Sequence, residues 1–320
     1  MVGVISFLPH LPNSVCRSDS HVRRVNMASV SKTVLATGFS SGLGFEVLRQ
    51  LLDRSTPYNI IFGARDREAA IDAVSKLQYD DAANAVTVLP LELSDMKTVR
   101  SFAQQVMEKI GPGKIDYLVL NAAIFKGTVE EDEDSYGSRW CEAAVVNHFS
   151  HHYLIHLLQG KLVASKTRIV MVSSAALIHV EDPDDLDDLL QPGSGFDGFF
   201  VYAGSKFVQL LGAHWWRRQL QNQCVVIAVS PGLVPNTGLG RERGSKTSGI
   251  LPDAKSARQG AANILKGLLR DDLPEDPDRI FLTSRGEWWD TYFIRATLDR
   301  ELQNWWCPSQ AELDEEAGIS

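Results

Sequence analysis

From about residue 32 onward, short apolar runs alternate with segments in which apolar residues recur at helical spacing. This alternation constrains the fold most, because it is typical of a parallel sheet whose strands are joined by helices on both faces. We therefore predict an α/β fold with a doubly wound parallel sheet, in a single domain over residues 31–320. The predicted strands are residues 33–37, 60–63, 86–89, 115–120, 168–172, 225–229 and 279–282, and the clearest predicted helices are residues 43–52, 67–77, 97–110 and 143–158.

Two segments interrupt the alternation. Residues 180–198 are rich in Asp, Pro and Gly, and residues 238–254 are rich in Gly, Ser and charge. Both follow predicted strands, at the edge where open parallel sheets bind ligands. We interpret them as insertions that form a lid over a substrate, and we expect the acidic run at residues 181–188 to be a solvated loop.

Charge and cysteine content narrow the class of function. The net charge of −8 over 320 residues makes nucleic acid or an anionic membrane a poor partner. No apolar run reaches the roughly 18 residues of a transmembrane helix, so we predict none. Cys16, Cys141, Cys224 and Cys307 have neither metal-site spacing nor the pattern of a disulfide framework. This is typical of a reducing compartment, and we expect a cytoplasmic location.

Residues 1–30 do not share the pattern of the rest. Their short apolar stretch has no positive charge before it, unlike a secretory signal, and Arg17, Arg23 and Arg24 give only a weak similarity to a mitochondrial transit peptide. Met27 lies just before the first predicted strand. We interpret residues 1–30 as a disordered leader or the product of an over-long gene model.

Tyr202 and Lys206, in the segment VYAGSKF, form the first candidate reactive pair. On a helix, residues four apart share a face. The ammonium would favour the phenolate, so that the phenol could exchange a proton near neutral pH. The pair alone is a weak signal, because this spacing is common on helices that carry no chemistry.

A glycine-rich turn, TGFSSGLG at residues 37–44, follows the first predicted strand and begins the first predicted helix. Glycines at this junction let backbone N–H groups approach a pyrophosphate at the helix N-terminus, where the helix dipole favours anions. A plain strand-to-helix turn would also account for this sequence.

Together with Tyr202 and Lys206, the Gly-x-x-x-Gly-x-Gly spacing of this turn resembles the short-chain dehydrogenase/reductase family. Four further motifs occur in the family's order, which makes the resemblance specific between about residues 33 and 237. They are Asn121 with Ala122 and Ala123, Asn147 in VVNHFSHH, Ser174 in RIVMVSSAA, and Pro231 with Gly232. The resemblance implies a Rossmann-like fold and a nicotinamide cofactor.

The resemblance also implies a role for each reactive residue. Tyr202 would exchange a proton with the substrate oxygen, and Ser174 would hydrogen-bond that oxygen. Lys206 would assist Tyr202 and bind the nicotinamide ribose, and Asn147 would place a water that returns the proton. The hydride would come from the cofactor, so the protein supplies orientation and electrostatics.

The end of the second predicted strand indicates which cofactor is used. An acidic residue there suits the 2′-hydroxyl of NAD, whereas a nearby arginine suits the 2′-phosphate of NADP. Ala64 takes the acidic position and Arg65 follows it, while Asp66 would cap the next helix. We predict NADP(H), bound by Gly38, Ser40, Ser41, Gly42, Leu43, Gly44, Arg65, Glu92, Leu93, Asn121, Tyr202, Lys206, Pro231, Gly232, Val234 and Thr237.

A few positions depart from the family pattern, among them Glu92 in place of an aspartate and Ser150 in place of a glycine. The departures affect cofactor contacts rather than reacting groups. The long segment between Ser174 and Tyr202 resembles the branch with retinol-dehydrogenase-like and protochlorophyllide-reductase-like proteins.

We predict an NADP(H)-dependent oxidoreductase that interconverts a carbonyl and an alcohol on a small-to-medium apolar substrate, with a homodimer left open. Two alternatives also stay open. One is a reductase of an activated C=C bond, and the other is a non-catalytic NADP-sensing regulatory protein.

Two other patterns have simpler explanations. His148, His152 and His156 recur at helical spacing, but no cysteine or carboxylate matches them, so we expect structural or surface histidines and no metal. The tryptophan pairs at residues 215–216, 288–289 and 305–306 are most simply packing residues. The last two pairs could alternatively wall an apolar substrate pocket.

Overall fold

Seven parallel strands form one sheet in the computed structural model, which describes residues 31–128, 138–235, 237–241 and 254–319. Their spatial order is β3-β2-β1-β4-β5-β6-β7. The order reverses between β1 and β4, and ligands bind such sheets at this switch point, beyond the carboxyl ends of the strands. The strands are β1 (Lys32–Thr37), β2 (Tyr58–Ala64), β3 (Ala85–Pro90), β4 (Tyr117–Leu120), β5 (Arg168–Val172), β6 (Val225–Val229) and β7 (Phe281–Leu282).

The doubly wound parallel sheet predicted from the alternation is therefore confirmed. β5 and β6 have the predicted bounds, whereas β4 begins two residues later than predicted and β7 keeps only its last two residues. The predicted leader at residues 1–30 lies outside the described residues, as do residues 242–253 of the second predicted lid segment.

Burial on both faces of the sheet explains why its strands show no polar alternation. In β1, Val34 and Ala36 belong to one apolar cluster and Leu35 belongs to the other, and all three are fully buried. Helices cover both faces of a parallel sheet, so successive side chains of a strand enter two different apolar layers.

The helices lie between the strands, as the periodicity predicts. Asp66 caps the second one, and its carboxylate accepts a hydrogen bond from the Ala69 N–H at 2.9 Å, which confirms its predicted role. The longer helices are α1 (Gly42–Leu52), α2 (Arg67–Ser75), α3 (Met96–Ile110), α5 (Ser150–Ser165), α7 (Gly198–Gln219) and α9 (Ala257–Leu269). The shorter ones are α4 (Glu142–Ala144), α6 (Leu186–Leu189), α8 (Gly238–Arg241), α10 (Arg300–Trp305) and α11 (Gln310–Glu316).

A π turn interrupts the helix predicted over residues 143–158. It covers Val145–Phe149, between α4 and α5, and the Ser150 N–H bonds to the Val145 carbonyl five residues back. All five residues of the π turn are buried. Such turns occur frequently at functional sites, and this one contains Asn147.

The expectation of a solvated loop at residues 181–188 is wrong in part. The aspartates begin a 3₁₀ turn (Pro183–Asp185) and then α6. Leu186 and Leu190 are buried, and a Cβ at Gly204 of α7 would lie 2.7 Å from Leu189. The acidic side chains face solvent, but the leucines between and after them hold this segment against α7.

The C-terminal segment covers the outer faces of α5 and α7. It contains a 3₁₀ helix (Thr291–Leu298), α10 and α11. The His148 Nε2–H donates to the Trp306 carbonyl at 2.7 Å. His152 accepts from the Trp216 indole N–H at 2.8 Å through Nδ1, and its Nε2 lies 2.8 Å from the Pro308 carbonyl.

These contacts explain the histidine repeat. His148 and His152 are buried and hydrogen-bonded, as expected for structural histidines, and burial lowers the pKa of His148 to about 4. In the described part of the chain, no cluster of His, Cys, Asp and Glu could hold a metal ion. None of the described helices is both long and apolar enough to cross a membrane.

The last tryptophan pair allows a matched test of this C-terminal packing. Trp306 is 1% exposed, whereas Trp305 is 52% exposed. Trp306→Ala is expected to lower the free energy of unfolding by about 3–5 kcal/mol, because it leaves a large cavity. Trp305→Ala should cost about 1 kcal/mol or less. Urea unfolding of both variants measures this, and equal losses would contradict the packing described.

Candidate active site

A cavity of about 480 Å³ lies beyond the carboxyl ends of the strands, around the switch point. The glycine-rich turn, the segments after β2, β3 and β4, the end of β5 and the buried face of α7 line it. It brings together most of the residues predicted to bind the cofactor, namely Gly38, Ser40, Ser41, Gly42, Leu43, Gly44, Arg65, Glu92, Leu93, Asn121, Tyr202, Lys206, Pro231 and Thr237.

The glycine-rich turn needs two of its glycines for close backbone contacts. A Cβ on Gly38 would lie 2.7 Å from the Ala122 Cα, and one on Gly44 would lie 2.0 Å from the Gly38 carbonyl oxygen. The Asn121 side chain donates to that carbonyl at 2.9 Å and joins the turn to the end of β4. Ser41, the N-cap of α1, makes no side-chain capping bond. The first N–H groups of α1 thus suit a diphosphate.

Thr37, the last residue of β1, ties the start of this turn to the segment after β4. Its hydroxyl accepts from the backbone N–H groups of Asn121 and Ala122 at 3.1 and 3.2 Å, and donates to His151 Nε2 at 2.9 Å. Burial, helped by the charge of Lys206, lowers the pKa of His151 to about 3. His151 is therefore a neutral acceptor that fixes the Thr37 hydroxyl.

The carboxyl end of β2 presents an arginine to the cavity. Ala64 is buried, and the Arg65 side chain that follows is exposed at the cavity rim. Asp66 is occupied as the cap of α2. Because no carboxylate among the described residues pairs with Arg65, its guanidinium is available for an anion.

The segment after β3 is held by a hydrogen bond within it and by another from α5. The Glu92 carboxylate accepts from the Ser94 N–H at 3.1 Å, and the Ser150 hydroxyl donates to the Leu93 carbonyl. Both departures from the family pattern thus have a structural use. Glu92 supports its own turn, and Ser150 fixes the loop against α5.

Tyr202 and Lys206 lie on one face of α7, as the spacing predicts. The Lys206 Nζ atom is 5.7 Å from the centre of the Tyr202 ring. It donates to the Val172 carbonyl at 2.9 Å and to Gln209 Oε1 at 3.2 Å. Lys206 is 1% exposed, and this burial lowers its pKa to about 7. The Tyr202 ring packs 5.3 Å from that of Phe125.

Asn147 is fully buried and does not line the cavity. Its Oδ1 accepts from the Ile124 N–H at 2.8 Å, and its Nδ2 donates to the Ile124 carbonyl at 3.0 Å and to the Ser205 hydroxyl at 2.9 Å. The side chain therefore joins the π turn to the segment after β4 and to α7. Its role in placing a water stays a prediction.

Ser174, Gly232 and Val234 also lie outside the lining of the cavity. Ser174 follows Ser173, which lines it, and caps the 3₁₀ helix Ala175–His179 by accepting from the Ala176 N–H at 3.2 Å. Gly232 has a φ of +89°, and the Val234 carbonyl accepts from the Thr237 hydroxyl at 3.2 Å. Their predicted roles stay predictions.

Several lining residues were not predicted. The Glu142 carboxylate accepts from Lys126 Nζ at 2.8 Å at the start of α4. The others include Gly63, Leu91, Ala122, Ala123, Ile124, Val146, Val172, Ser173, Gly238 and Leu239. Several of these residues lie at or just after the ends of predicted strands. That position could have marked them as candidate lining residues, but it would not have shown which of them matter most. None of the residues in the last two tryptophan pairs lines this cavity.

Comparison with known proteins gives the class. A family model described as short chain dehydrogenase matches residues 32–181. A short-chain dehydrogenase/reductase of Pestalotiopsis microspora is 48% identical over 290 residues, which cover 90% of this chain and 99% of that protein. The chain belongs to the short-chain dehydrogenase/reductase family of enzymes, as the motifs predicted.

The similarity to retinol dehydrogenases is also confirmed. Retinol dehydrogenase 13 of Homo sapiens is 32% identical over 215 residues. The match covers 67% of this chain and 62% of that protein. The similarity to protochlorophyllide reductases stays a prediction.

Solved structures share the fold at low identity. The NADPH-bound carbonyl reductase from chicken fatty liver has a TM-score of 0.60 and is 22% identical, over 81% of this chain and 98% of that one. A short-chain dehydrogenase from Burkholderia cenocepacia in complex with NADP has a TM-score of 0.55 and is 18% identical, over 79% and 87% of the two chains. Both confirm the Rossmann-like architecture.

The buried lysine gives this site a testable pH dependence. Between the folded-state pKa of about 7 and the ordinary 10.5, the unfolded chain binds more protons at Lys206 than the folded one. The free energy of unfolding therefore rises with pH in this window. Below it, the folded protein bears the full cost of burying the charge, up to about 5 kcal/mol.

Lys206→Met removes this cost, so it should stabilise the ligand-free protein near pH 6 and progressively less toward pH 10. Urea unfolding across this range measures the difference. The control is Lys161→Met, because the solvent-facing Lys161 also donates to a backbone carbonyl, that of Gly111. Parallel curves for wild type and Lys206→Met would contradict the low pKa.

Proposed function

We propose that this protein is an NADP(H)-dependent oxidoreductase that interconverts a carbonyl group and an alcohol, with Tyr202 exchanging the proton. The observation that carries the proposal is the convergence of Tyr202, Lys206 and the glycine-rich turn on one cavity. A proton-exchanging phenol, a buried cation and an anion-binding helix start are the groups that this reaction needs from the protein.

Each group has a distinct part in the reduction direction. The nicotinamide cofactor supplies the hydride to the carbonyl carbon when it is bound. The Tyr202 phenol gives its proton to the carbonyl oxygen, which becomes the alcohol. The Ser174 hydroxyl, whose oxygen already accepts from the Ala176 N–H, keeps its hydrogen to donate to the same oxygen. The Lys206 ammonium stabilises the negative charge left on the phenol.

The choice of NADP(H) is supported by the end of β2. Arg65 is exposed and lines the cavity, and the neighbouring acid, Asp66, is engaged as the cap of α2 and does not line it. A guanidinium makes strong paired hydrogen bonds to a phosphate group. Two structures of the same fold, from chicken and Burkholderia cenocepacia, are described with NADPH or NADP bound.

An apolar substrate is supported by the aromatic residues around Tyr202. Phe125 packs on the Tyr202 ring, and Phe199 lies three residues before Tyr202 on the same face of α7. The Phe199 ring contacts His179 at 5.1 Å, in the short helix that Ser174 caps. A substrate whose oxygen meets Tyr202 and Ser174 would place its body against these rings. A cytoplasmic location and a homodimer stay predictions.

Tyr202→Phe is expected to keep the fold and NADPH binding while lowering turnover by roughly 10²–10⁴, the range for a positioned proton donor. The control is Tyr292→Phe, because Tyr292 is largely exposed in the C-terminal segment. Turnover is measured with NADPH and a panel of apolar ketones, aldehydes and enones. Near wild-type turnover of Tyr202→Phe would remove this residue from the mechanism.

Product analysis in the same assay separates the alternatives. An alcohol from an enone supports carbonyl reduction, whereas a saturated ketone would show reduction of the C=C bond. NADPH binding without turnover on any substrate of the panel would favour the sensing alternative.

Ala64→Asp combined with Arg65→Ala should reverse the cofactor preference. Hydrogen bonds to a charged group contribute about 1.5–3 kcal/mol, so wild type should bind NADPH roughly tenfold to a hundredfold more tightly than NADH. The introduced carboxylate repels the 2′-phosphate and accepts from a 2′-hydroxyl. Kd values for both cofactors measure this, with Arg67→Ala as the neighbouring control. Equal affinities in wild type would contradict the role of Arg65.

Phe199→Ala should raise KM for apolar substrates by roughly tenfold, because about 1–2 kcal/mol of apolar contact is lost. Phe200→Ala is the matched control, since Phe200 is two residues from Tyr202 and does not share its face. Steady-state kinetics with a series of ketones of increasing chain length measures both. Equal effects of the two variants would exclude Phe199 from the substrate site.

A further inference from the structure

We propose that Gln209 is a positioning residue for Lys206, and that its amide joins the lysine to the Asn147 backbone carbonyl through two direct hydrogen bonds. The proposal rests on the oxidoreductase function proposed above. It adds a residue to the set that the family resemblance implies, because Gln209 is not among the predicted site residues.

The Gln209 amide bridges two elements. It lies three residues after Lys206 on α7, and its Oε1 accepts from Lys206 Nζ at 3.2 Å. Its Nε2 donates to the Asn147 carbonyl, in the π turn, at 2.9 Å. Gln209 is 2% exposed, so water does not compete for either bond.

The chemistry of the partners determines which way the amide points. A backbone carbonyl only accepts hydrogen bonds, so it must face the NH₂ group, and an ammonium only donates, so it must face Oε1. A flipped amide would lose both bonds inside the protein, where unpaired polar groups are costly. Gln209 is thus held in one orientation, with its oxygen toward the lysine.

The π turn is fastened to α7 at a second point, which keeps the Asn147 carbonyl in place. Asn147 Nδ2 donates to the Ser205 hydroxyl at 2.9 Å, and that hydroxyl donates to the Tyr202 carbonyl at 2.8 Å. Ser205 and Gln209, one turn apart on α7, therefore bind the side-chain amide and the backbone carbonyl of the same asparagine. These two contacts fix the distance between Lys206 and the π turn.

The amide oxygen is one of two acceptors for the Lys206 ammonium, and the Val172 carbonyl is the other. The titratable groups that face this lysine from the described residues are Tyr202 on its own helix and His151 on α5. Burial holds His151 neutral. Loss of the Gln209 oxygen would leave the Val172 carbonyl as the one hydrogen-bond acceptor for Lys206 among the described residues, so it should destabilise the ammonium directly.

The test compares Gln209→Met and Gln209→Glu with Gln303→Met. Gln303 is a matched control, because it is also 2% exposed, donates to a backbone carbonyl (Thr297, 2.7 Å) and accepts from a cation (Arg218, 2.9 Å), but in the C-terminal segment. The pH dependence of kcat and KM is measured with NADPH and an apolar ketone.

Gln209→Met should lower kcat at neutral pH by roughly tenfold with little change in KM. It should move the alkaline limb of the profile down by about one to two pH units, as expected for one lost hydrogen bond to a charge. Gln209→Glu should move that limb upward, because a carboxylate favours the ammonium. Gln303→Met should leave the profile unchanged, even where it lowers stability.

A second readout needs no turnover. In the ligand-free protein, the rise of unfolding free energy with pH that Lys206→Met abolishes should begin at lower pH in Gln209→Met and at higher pH in Gln209→Glu. Should no ketone be turned over by wild type, the proposed function fails while this measurement still tests Gln209. Unchanged pH dependence in Gln209→Met, or shifts in the same direction for both Gln209 variants, would overturn the proposal.

Discussion

A lysine ammonium buried without a carboxylate partner among the described residues is the constraint on which the rest of the site depends. Transfer of such a charge out of water is costly unless acceptors are already in place. Lys206 has two, the Val172 carbonyl at the end of β5 and the Gln209 amide one turn along α7. Because Lys206 belongs to α7 and the Val172 carbonyl belongs to the sheet, this one hydrogen bond fixes where α7 lies relative to the end of β5.

The same placement of α7 brings the Tyr202 phenol to the cavity that the glycine-rich turn lines. Tyr202 is one turn before Lys206, so fixing the lysine at the end of β5 places the phenol at the carboxyl edge of the sheet. The glycine-rich turn reaches this edge from β1 and is held by Asn121 and by the Thr37 hydroxyl. Because β1 and β4 are neighbours at the switch point, a bound dinucleotide would lie between the glycine-rich turn and the Tyr202 phenol.

The C-terminal segment explains why α5 and α7 contain so many buried polar residues. In a doubly wound sheet, a helix normally keeps one face in solvent. Here α10, α11 and the 3₁₀ helix before them cover the outer faces, so His148 and His152 must find partners inside the protein. The backbone carbonyls of Trp306 and Pro308 are these partners. They belong to the same C-terminal segment that keeps water away from the two histidines. The histidine repeat is thus a packing feature.

The sequence by itself determined the doubly wound sheet, the cap formed by Asp66, and the convergence of Tyr202, Lys206 and the glycine-rich turn on one cavity. Strand and helix periodicity, helix caps and the spacing of Tyr202 and Lys206 are local, and each depends on neighbours within a few residues. Family resemblance added the order of the motifs. The helix predicted over residues 143–158 shows what local spacing misses. Its apolar periodicity continues through the π turn, so the sequence does not indicate that the turn is there.

Only the tertiary structure decided which groups meet across long sequence separations. The bonds from Gln209 to the Asn147 carbonyl and from His148 to Trp306 join elements whose adjacency depends on the packed sheet. Glu142 lines the cavity for the same reason, since the start of α4 lies near the end of β4 only after folding. Burial set the charge state of Lys206 as well: the residue type is visible in the sequence, but the removal of water around it is a property of the packed interior.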